Sequence, residues 1–185
     1  MISKELSTTL GFAVKEAKRR RHEYVSVEHV LYAILHDSDG VDIVEKCGGD
    51  PNNLINTLEK FFFEKMEVIP EGKEYVLQQT IGFQRVIQRA VNHVRSAEKQ
   101  EVSISDILAS IFLEKDCHAS FFLLEEGVTR LDVLTYISQN TSVPIVQEPA
   151  DPHSKTAKAD KKKKDDPLAL YTMELVARAA EGKLD

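Results

Sequence analysis

A duplicated all-α fold, eight helices in two four-helix units related by a pseudo-twofold, follows from three observations on the sequence. The first is an internal repeat: Val25-Ser-Val-Glu-His-Val-Leu-Tyr-Ala-Ile-Leu35 returns as Val102-Ser-Ile-Ser-Asp-Ile-Leu-Ala-Ser-Ile-Phe112, an offset of 77 in the numbering. Ala13-Val14 and Ala90-Val91 share that offset, while Gly48–Leu58 returns as Gly127–Ile137 at an offset of 79. One connecting loop absorbs the difference, since loops tolerate insertions that packed helices do not. The second is apolar spacing in steps of three and four within both copies. The third is punctuation by Ser, Thr, Asp, Gly and Pro at the ends of those periodic stretches.

The elements follow in order. Residues 4–21 place Leu6, Leu10, Ala13, Val14 and Ala17 on one stripe and leave Lys15, Glu16, Lys18 and Arg19 to solvent. Ser26 caps a helix from Val27 to about His36, and Asp39-Gly40 is expected to break the chain before a short helix over Val41–Cys47. Gly48-Gly49 stops that helix, and Asp50-Pro51 opens the next as N-cap and first helical residue. Residues 67–79, with Pro70 and Gly72, read as a connector, so repeat one is 1–66 and repeat two is 80–140. In the second copy a helix spans about Thr80–Glu98, Ser103 caps a helix to Phe112, Cys117–Glu125 is short, and Thr129 caps the last. Ser103 has Asp106 at the third position after it, a capping-box pattern, where Ser26 has His29. No sheet is expected. Residues 141–166, rich in Pro, Lys and Asp, read as a flexible linker, and 167–185 as one further amphipathic helix.

Composition excludes several classes. With 42% hydrophobic and 29% charged residues the chain reads as globular, and no apolar run reaches the length of a membrane span. A net charge of −6 argues against nucleic acid as the main partner. The first residues lack the basic-then-apolar order of a secretory leader, and two distant cysteines fit reduced thiols, so a cytoplasmic setting is expected.

Catalytic and metal motifs are weak. Neither Gly72-Lys73 nor Gly182-Lys183 is followed by Ser or Thr, so no phosphate-cradling loop is expected. His22, His29, His36 and Cys47 lack a short ligand spacing, and a small zinc protein is kept only as a remote alternative. Cys117-His118 are adjacent on a helix and face different ways, against a nucleophile–base pair. Arg19-Arg20-Arg21-His22 is accounted for as cations at a helix C-terminus, and Lys161–Lys164, flanked by aspartates, as a solvated linker.

Three stretches carry a family resemblance: Arg21-His-Glu-Tyr-Val-Ser-Val-Glu-His-Val-Leu31, Thr80-Ile-Gly-Phe-Gln-Arg-Val-Ile-Gln-Arg-Ala90 and Val128-Thr-Arg-Leu-Asp-Val133. They resemble the duplicated N-terminal domain of the Clp ring ATPases, the first two most closely its ClpA branch. The likeness runs through 1–140 and resumes at Leu168–Asp185, which looks like the segment opening the first ATPase module. The resemblance implies a non-catalytic domain that gathers substrate polypeptides and docks the adaptor ClpS, with adaptor contacts at Glu23, Glu28, Thr80 and Arg130. It implies ATP and Mg only in the absent ATPase modules, a hexameric parent, a monomeric fragment, and hand-over to the ClpP peptidase only through the absent ring. From composition, neither nucleic acid nor a membrane is expected as a partner. The alternative within the family is a ClpC- or disaggregase-type domain that binds unfolded polypeptide directly.

Overall fold

The computed structural model describes residues 1–140; the expected linker (141–166) and further helix (167–185) lie outside the described residues. Repeat one holds α1 (Lys4–Arg19), α2 (Val27–Ile34), α3 (Ser38–Lys46) and α4 (Pro51–Lys65). Repeat two holds α5 (Ile81–Ser96), α6 (Ile104–Ile111), α7 (His118–Glu125) and α8 (Arg130–Asn140). The expected eight helices are all present, and their ends show why they form where they do. Ser3 accepts a hydrogen bond from the Leu6 amide (3.1 Å), and its repeat equivalent Thr80 accepts one from Phe83 (3.1 Å). Asp50 accepts from Asn52 and Asn53 ahead of Pro51. Each takes up an amide that the first turn of a helix leaves without an internal partner. The capping box holds at both central helices: the Ser103 amide donates to Asp106 (3.0 Å) and the Ser26 amide to His29 Nδ1 (3.1 Å). Histidine thus fills the role of the carboxylate.

The first helix of each repeat ends in the same unusual turn. Arg21 and Glu98, equivalent positions of the two copies, both lie in the left-handed region (φ 56° and 54°). The next amide reaches back to Ala17 O in one copy and Val94 O in the other, 3.0 Å in both. Glycine would be the easier residue there. Arg21 offsets the strain by donating to three connector carbonyls: Ile69 (2.7 Å), Pro70 (2.7 Å) and Lys73 (2.9 Å). The arginine run therefore does more than complement a helix end. Arg20 bridges Glu16 (2.8 Å) and Glu59 (2.6 Å) over the rings of Tyr32 and Phe62.

Glu16, expected in solvent, is instead buried and accepts from Arg19 and Arg20. Two further expectations need correction. The first is the break at Asp39-Gly40: α3 starts earlier, capped by Asp37, and Gly40 lies inside it. A Cβ at Gly40 would sit 2.0 Å from the Ile34 carbonyl oxygen, so glycine allows α3 to press on the end of α2. The second is the absence of a sheet. Tyr24–Val25 (β1) pairs in parallel with Gln78–Gln79 (β2). At the equivalent place Ile2 bridges Val102, also in parallel. The repeat offset carries Ile2 to Gln79 and Val25 to Val102, so the two ladders are copies of one another. Each repeat lends the residues ahead of its first helix to the segment ahead of the other repeat's second helix.

At the centre lie α2, buried along its whole length, and α6, buried at all but Ser105. α1 and α4 cover α2 from its own repeat, and α5 and α7 from the other. Gly49 and Val128, equivalent in the two copies, meet where the α3–α4 and α7–α8 loops approach each other. A Cβ on Gly49 would come within 2.5 Å of Val128 Cγ2, so glycine at 49 makes room for the valine at the equivalent position.

Beside the α2 cap the two repeats solve one problem differently. His22 Nδ1 lies 2.9 Å from His29 Nε2. Since the Ser26 amide occupies His29 Nδ1, His29 carries its proton on Nε2 and donates it to His22. The equivalent pair in repeat two is Lys99 and Asp106, 3.3 Å apart. His29 also stacks on Phe62, with ring centroids 4.7 Å apart. Burial, followed by His22 and Arg20, holds its pKa down to about 3, and burial lowers that of His22. An unfolded histidine takes up its proton near pH 6.5, whereas His29 in the fold refuses it until about pH 3. Stability is therefore fully present above pH 6.5 and falls as pH drops from there toward 3, by about 1 kcal/mol per pH unit for such a group. Urea unfolding at pH 7.5, 6 and 5 checks this, and His29→Gln should flatten the slope.

Candidate functional site

Two adjoining clefts at the seam between the repeats share one residue, His118. The first is polar, about 210 Å³, and lies where the end of the β1–β2 ladder meets the start of α2 and of α7. Glu28 and Thr80 both line it. Glu28 stands in the first turn of α2, but its carboxylate serves the other repeat. Its Oε1 accepts from the amides of His118 (2.8 Å) and Ala119 (3.4 Å). The N-cap of α7, Cys117, makes no side-chain cap of its own, so Glu28 takes its place. This leaves Glu28 only 6% exposed. Thr80 is half-buried and donates its amide to Val25 O (3.1 Å) while capping α5.

The other two expected residues lie apart from the cleft lining. Glu23 is exposed, with its carbonyl accepting from the Gln78 amide (2.9 Å) at the start of the ladder. Arg130 opens α8, which packs chiefly on α6 and α3; its Nε is buried without a hydrogen-bond partner among the described residues. The fold thus gathers Glu28 and Thr80 in the cleft with Glu23 along the same ladder, and holds Arg130 on a different helix.

Sequence reading missed the second cleft. It is apolar, about 210 Å³, between α4 and α7. Phe61 from α4 packs on His118 (centroids 4.5 Å) and Phe122 (5.6 Å) from α7, with Lys60, Glu64 and Lys65 at the lip. Next to it on α7, Phe121 is 55% and Leu124 53% exposed. Sequence reading also missed Glu114, which the polar cleft buries against Arg85 and Arg89 (2.6 Å each).

The duplication supplies an internal control for the apolar cleft. Its equivalent in the other half is a cleft of about 430 Å³ between α3 and α8. There, in the repeat alignment, Asn140 stands for Phe61, Gln139 for Lys60 and Tyr136 for Thr57. Lys46 pairs with Asp42 (2.7 Å) and lies over the Tyr136 ring. Most core positions keep their apolar character in both copies (Ala33/Ser110 and Thr9/Val86 are exceptions), and the groove does not. The fold can be built with a polar groove at this place, so the aromatic one is not required for packing. The repeat alignment carries this signal, by pairing Phe61 with Asn140.

Among the described residues neither cleft holds an activated nucleophile or a metal-ligand cluster. The Cys117 thiol donates to Glu114 O (3.3 Å), and burial pushes its pKa up to about 11, the reverse of an activated thiolate. His22 and His29 bond each other, His36 Nδ1 lies 2.8 Å from Tyr32 O, and no three His, Cys, Asp or Glu among the described residues are placed to hold a metal ion. No helix among the described residues is long and apolar enough to cross a membrane.

Comparison with known proteins gives this architecture its family. The Clp repeat (R) N-terminal domain matches residues 1–126. The chain belongs to the Clp N-terminal domain family. A ClpA homolog protein of Fuscovulum blasticum is 33% identical over 195 aligned positions, covering 99% of this chain and 24% of the relative. The chaperone protein ClpB of Rhodopseudomonas palustris is 25% identical over 91% of this chain and 18% of its own length. The chain thus spans about a quarter or less of these relatives' length. Among solved structures, the Hsp104 N-terminal domain of Candida albicans superposes with a TM-score of 0.65 at 13% identity, over 77% of this chain and 93% of that one. The N-domain of ClpV from Vibrio cholerae does so with a TM-score of 0.61 at 16% identity, over 75% and 83%. At these identities the likeness is one of fold. The matched segment is the N-terminal Clp domain and not an ATPase module.

The capping role of Glu28 makes a specific prediction. Glu28→Ala leaves two amides of α7 without their acceptor and should cost about 1–3 kcal/mol of stability. Hydrogen exchange at His118 and Ala119 should speed up ahead of the rest of the domain. Unchanged exchange at those two amides would show that the cap carries no weight.

Proposed function

We propose that this Clp domain is the substrate- and adaptor-gathering N-domain of a ClpA-type unfoldase. It docks the adaptor ClpS and thereby delivers proteins for unfolding and degradation by ClpP. The observation that carries this reading is the 33% identity to a ClpA homolog along essentially the whole chain. The ladder supports it, because it draws Glu23, Thr80 and the cleft holding Glu28 into one polar area at the seam. Exposed or half-exposed charged and hydroxyl groups around a shallow cleft suit a partner that binds and leaves. In this reading Glu23, Thr80 and Arg130 touch the adaptor. Glu28 contributes by holding the start of α7, and with it His118, in place. The ATPase activity, hexameric assembly and cytoplasmic setting of the parent belong to the same proposal.

A second reading rests on the apolar cleft. An exposed aromatic groove that the duplicated copy lacks is suited to the side chains of an unfolded polypeptide, which would make direct capture part of the function. One titration separates the two readings. Purified ClpS is added to wild type, Glu23→Arg, Arg130→Glu and Phe61→Asn, and a permanently unfolded polypeptide to the same set. Adaptor docking is expected as saturable one-to-one binding that either charge reversal weakens about tenfold or more and Phe61→Asn leaves unchanged. Loss only in Phe61→Asn, with the unfolded polypeptide bound and ClpS not, would replace the first reading by the second.

A further inference from the structure

We propose that the two repeats are obligate partners: each is a half-fold whose missing strand and core face come from the other, with one helix cap passed from repeat one to repeat two, so the halves bind each other even when the chain between them is cut. Four observations carry this. First, the strand exchange is reciprocal. Repeat one receives β2, through Gln78 N to Glu23 O (2.9 Å) and Thr80 N to Val25 O (3.1 Å). Repeat two receives the chain start, through Val102 N to Met1 O (2.8 Å), Ser3 N to Val102 O (3.0 Å) and the terminal ammonium to Gln100 O (2.8 Å). Second, α7 in repeat two is capped by Glu28 of repeat one. Third, α2 is buried on every side and α6 nearly so, and part of the cover on each comes from the opposite repeat. Helices this short do not persist without such cover. Fourth, Gly49 against Val128 closes the interface at equivalent loops, where a Cβ at 49 would meet Val128 Cγ2 at 2.5 Å.

The connector (67–79) carries β2 and adds one small contact beyond the proposed cut, where Arg21 donates to Lys73 O (2.9 Å) and lies over the Tyr75 ring (5.5 Å). Its first half belongs to repeat one: Ile69 N donates to Arg21 O (2.8 Å), and Arg21 holds Ile69 and Pro70. Its second half leads into β2. Gly72 and Lys73 between them are exposed, and Gly72 has a positive φ (83°) in the turn. Its role is to keep the two halves at high effective concentration. A partner surface of this kind accepts a repeat in trans as it does in cis, and it prefers the unlike repeat, because the cap from Glu28 has no counterpart at Ser105, which bonds Ser103 instead.

The test uses the whole chain with a protease site inserted between Gly72 and Lys73. After cleavage under native conditions the two pieces should co-elute at the mass of the uncut protein with unchanged helical circular dichroism. The melting midpoint should then fall on dilution, whereas that of the uncut chain should not. Pieces that part on the column, folded or unfolded, overturn the proposal. If the insertion loosens the uncut protein, expressing residues 1–72 and 73–185 as two chains in one cell asks the same question. A one-to-one complex supports it, and homodimers formed in preference to that complex overturn it. Removing Met1 and Ile2 should weaken the cut complex at least tenfold; an unchanged midpoint at every dilution would rule out the strand exchange as part of the grip.

Discussion

Two short helices buried on nearly every face, α2 and α6, impose the conditions that the remainder of the Clp domain meets. Neither has a solvent face on which to place charge, so every side needs a cover and every polar group on it a partner. The outer helices supply the cover. Polar satisfaction comes from the caps, where Ser26 and Ser103 present their amides to His29 and Asp106. The other charge set deep in this region is treated the same way: Glu28 is consumed by the amides of α7. The reciprocal strand pairing follows from the same need, because Val25 and Val102, just ahead of α2 and α6, are buried too and their backbone groups must bond to something.

The two copies differ where burial leaves room for difference. One cap site uses two neutral imidazoles under Phe62, the other a lysine and an aspartate. The grooves diverge too. They lie at the surface, where packing places few demands, and one became aromatic while the other is polar, beside a lysine–aspartate–tyrosine contact. Duplication thus separates positions held by the core from positions open to a partner.

The polar cleft illustrates how one residue can serve both fold and site. A substitution at Glu28 that abolished binding would not by itself mark a contact, because the start of α7 and the ring of His118 depend on that carboxylate. Glu23 lies outside this difficulty, since its side chain is exposed and its part in the ladder is played by its backbone carbonyl.

The sequence by itself determined the number and order of the helices, most of their caps, the duplication and the family. These are local or periodic properties: a cap acts within one turn, a helix repeats every turn, and a copy can be aligned to its original. It left the Asp39-Gly40 region wrong, because that glycine answers to the Ile34 carbonyl and not to its own backbone. The parallel ladders were invisible, since such short strands carry no alternation and each is specified by a partner in a remote part of the chain. The burial of Glu28 under α7, the meeting of Phe61 with His118 and Phe122, and the isolation of Arg130 were likewise decided only by tertiary structure. The first two join residues from opposite repeats and the third leaves Arg130 outside the cleft lining, and the relative placement of two packed halves is recorded in no single stretch of sequence.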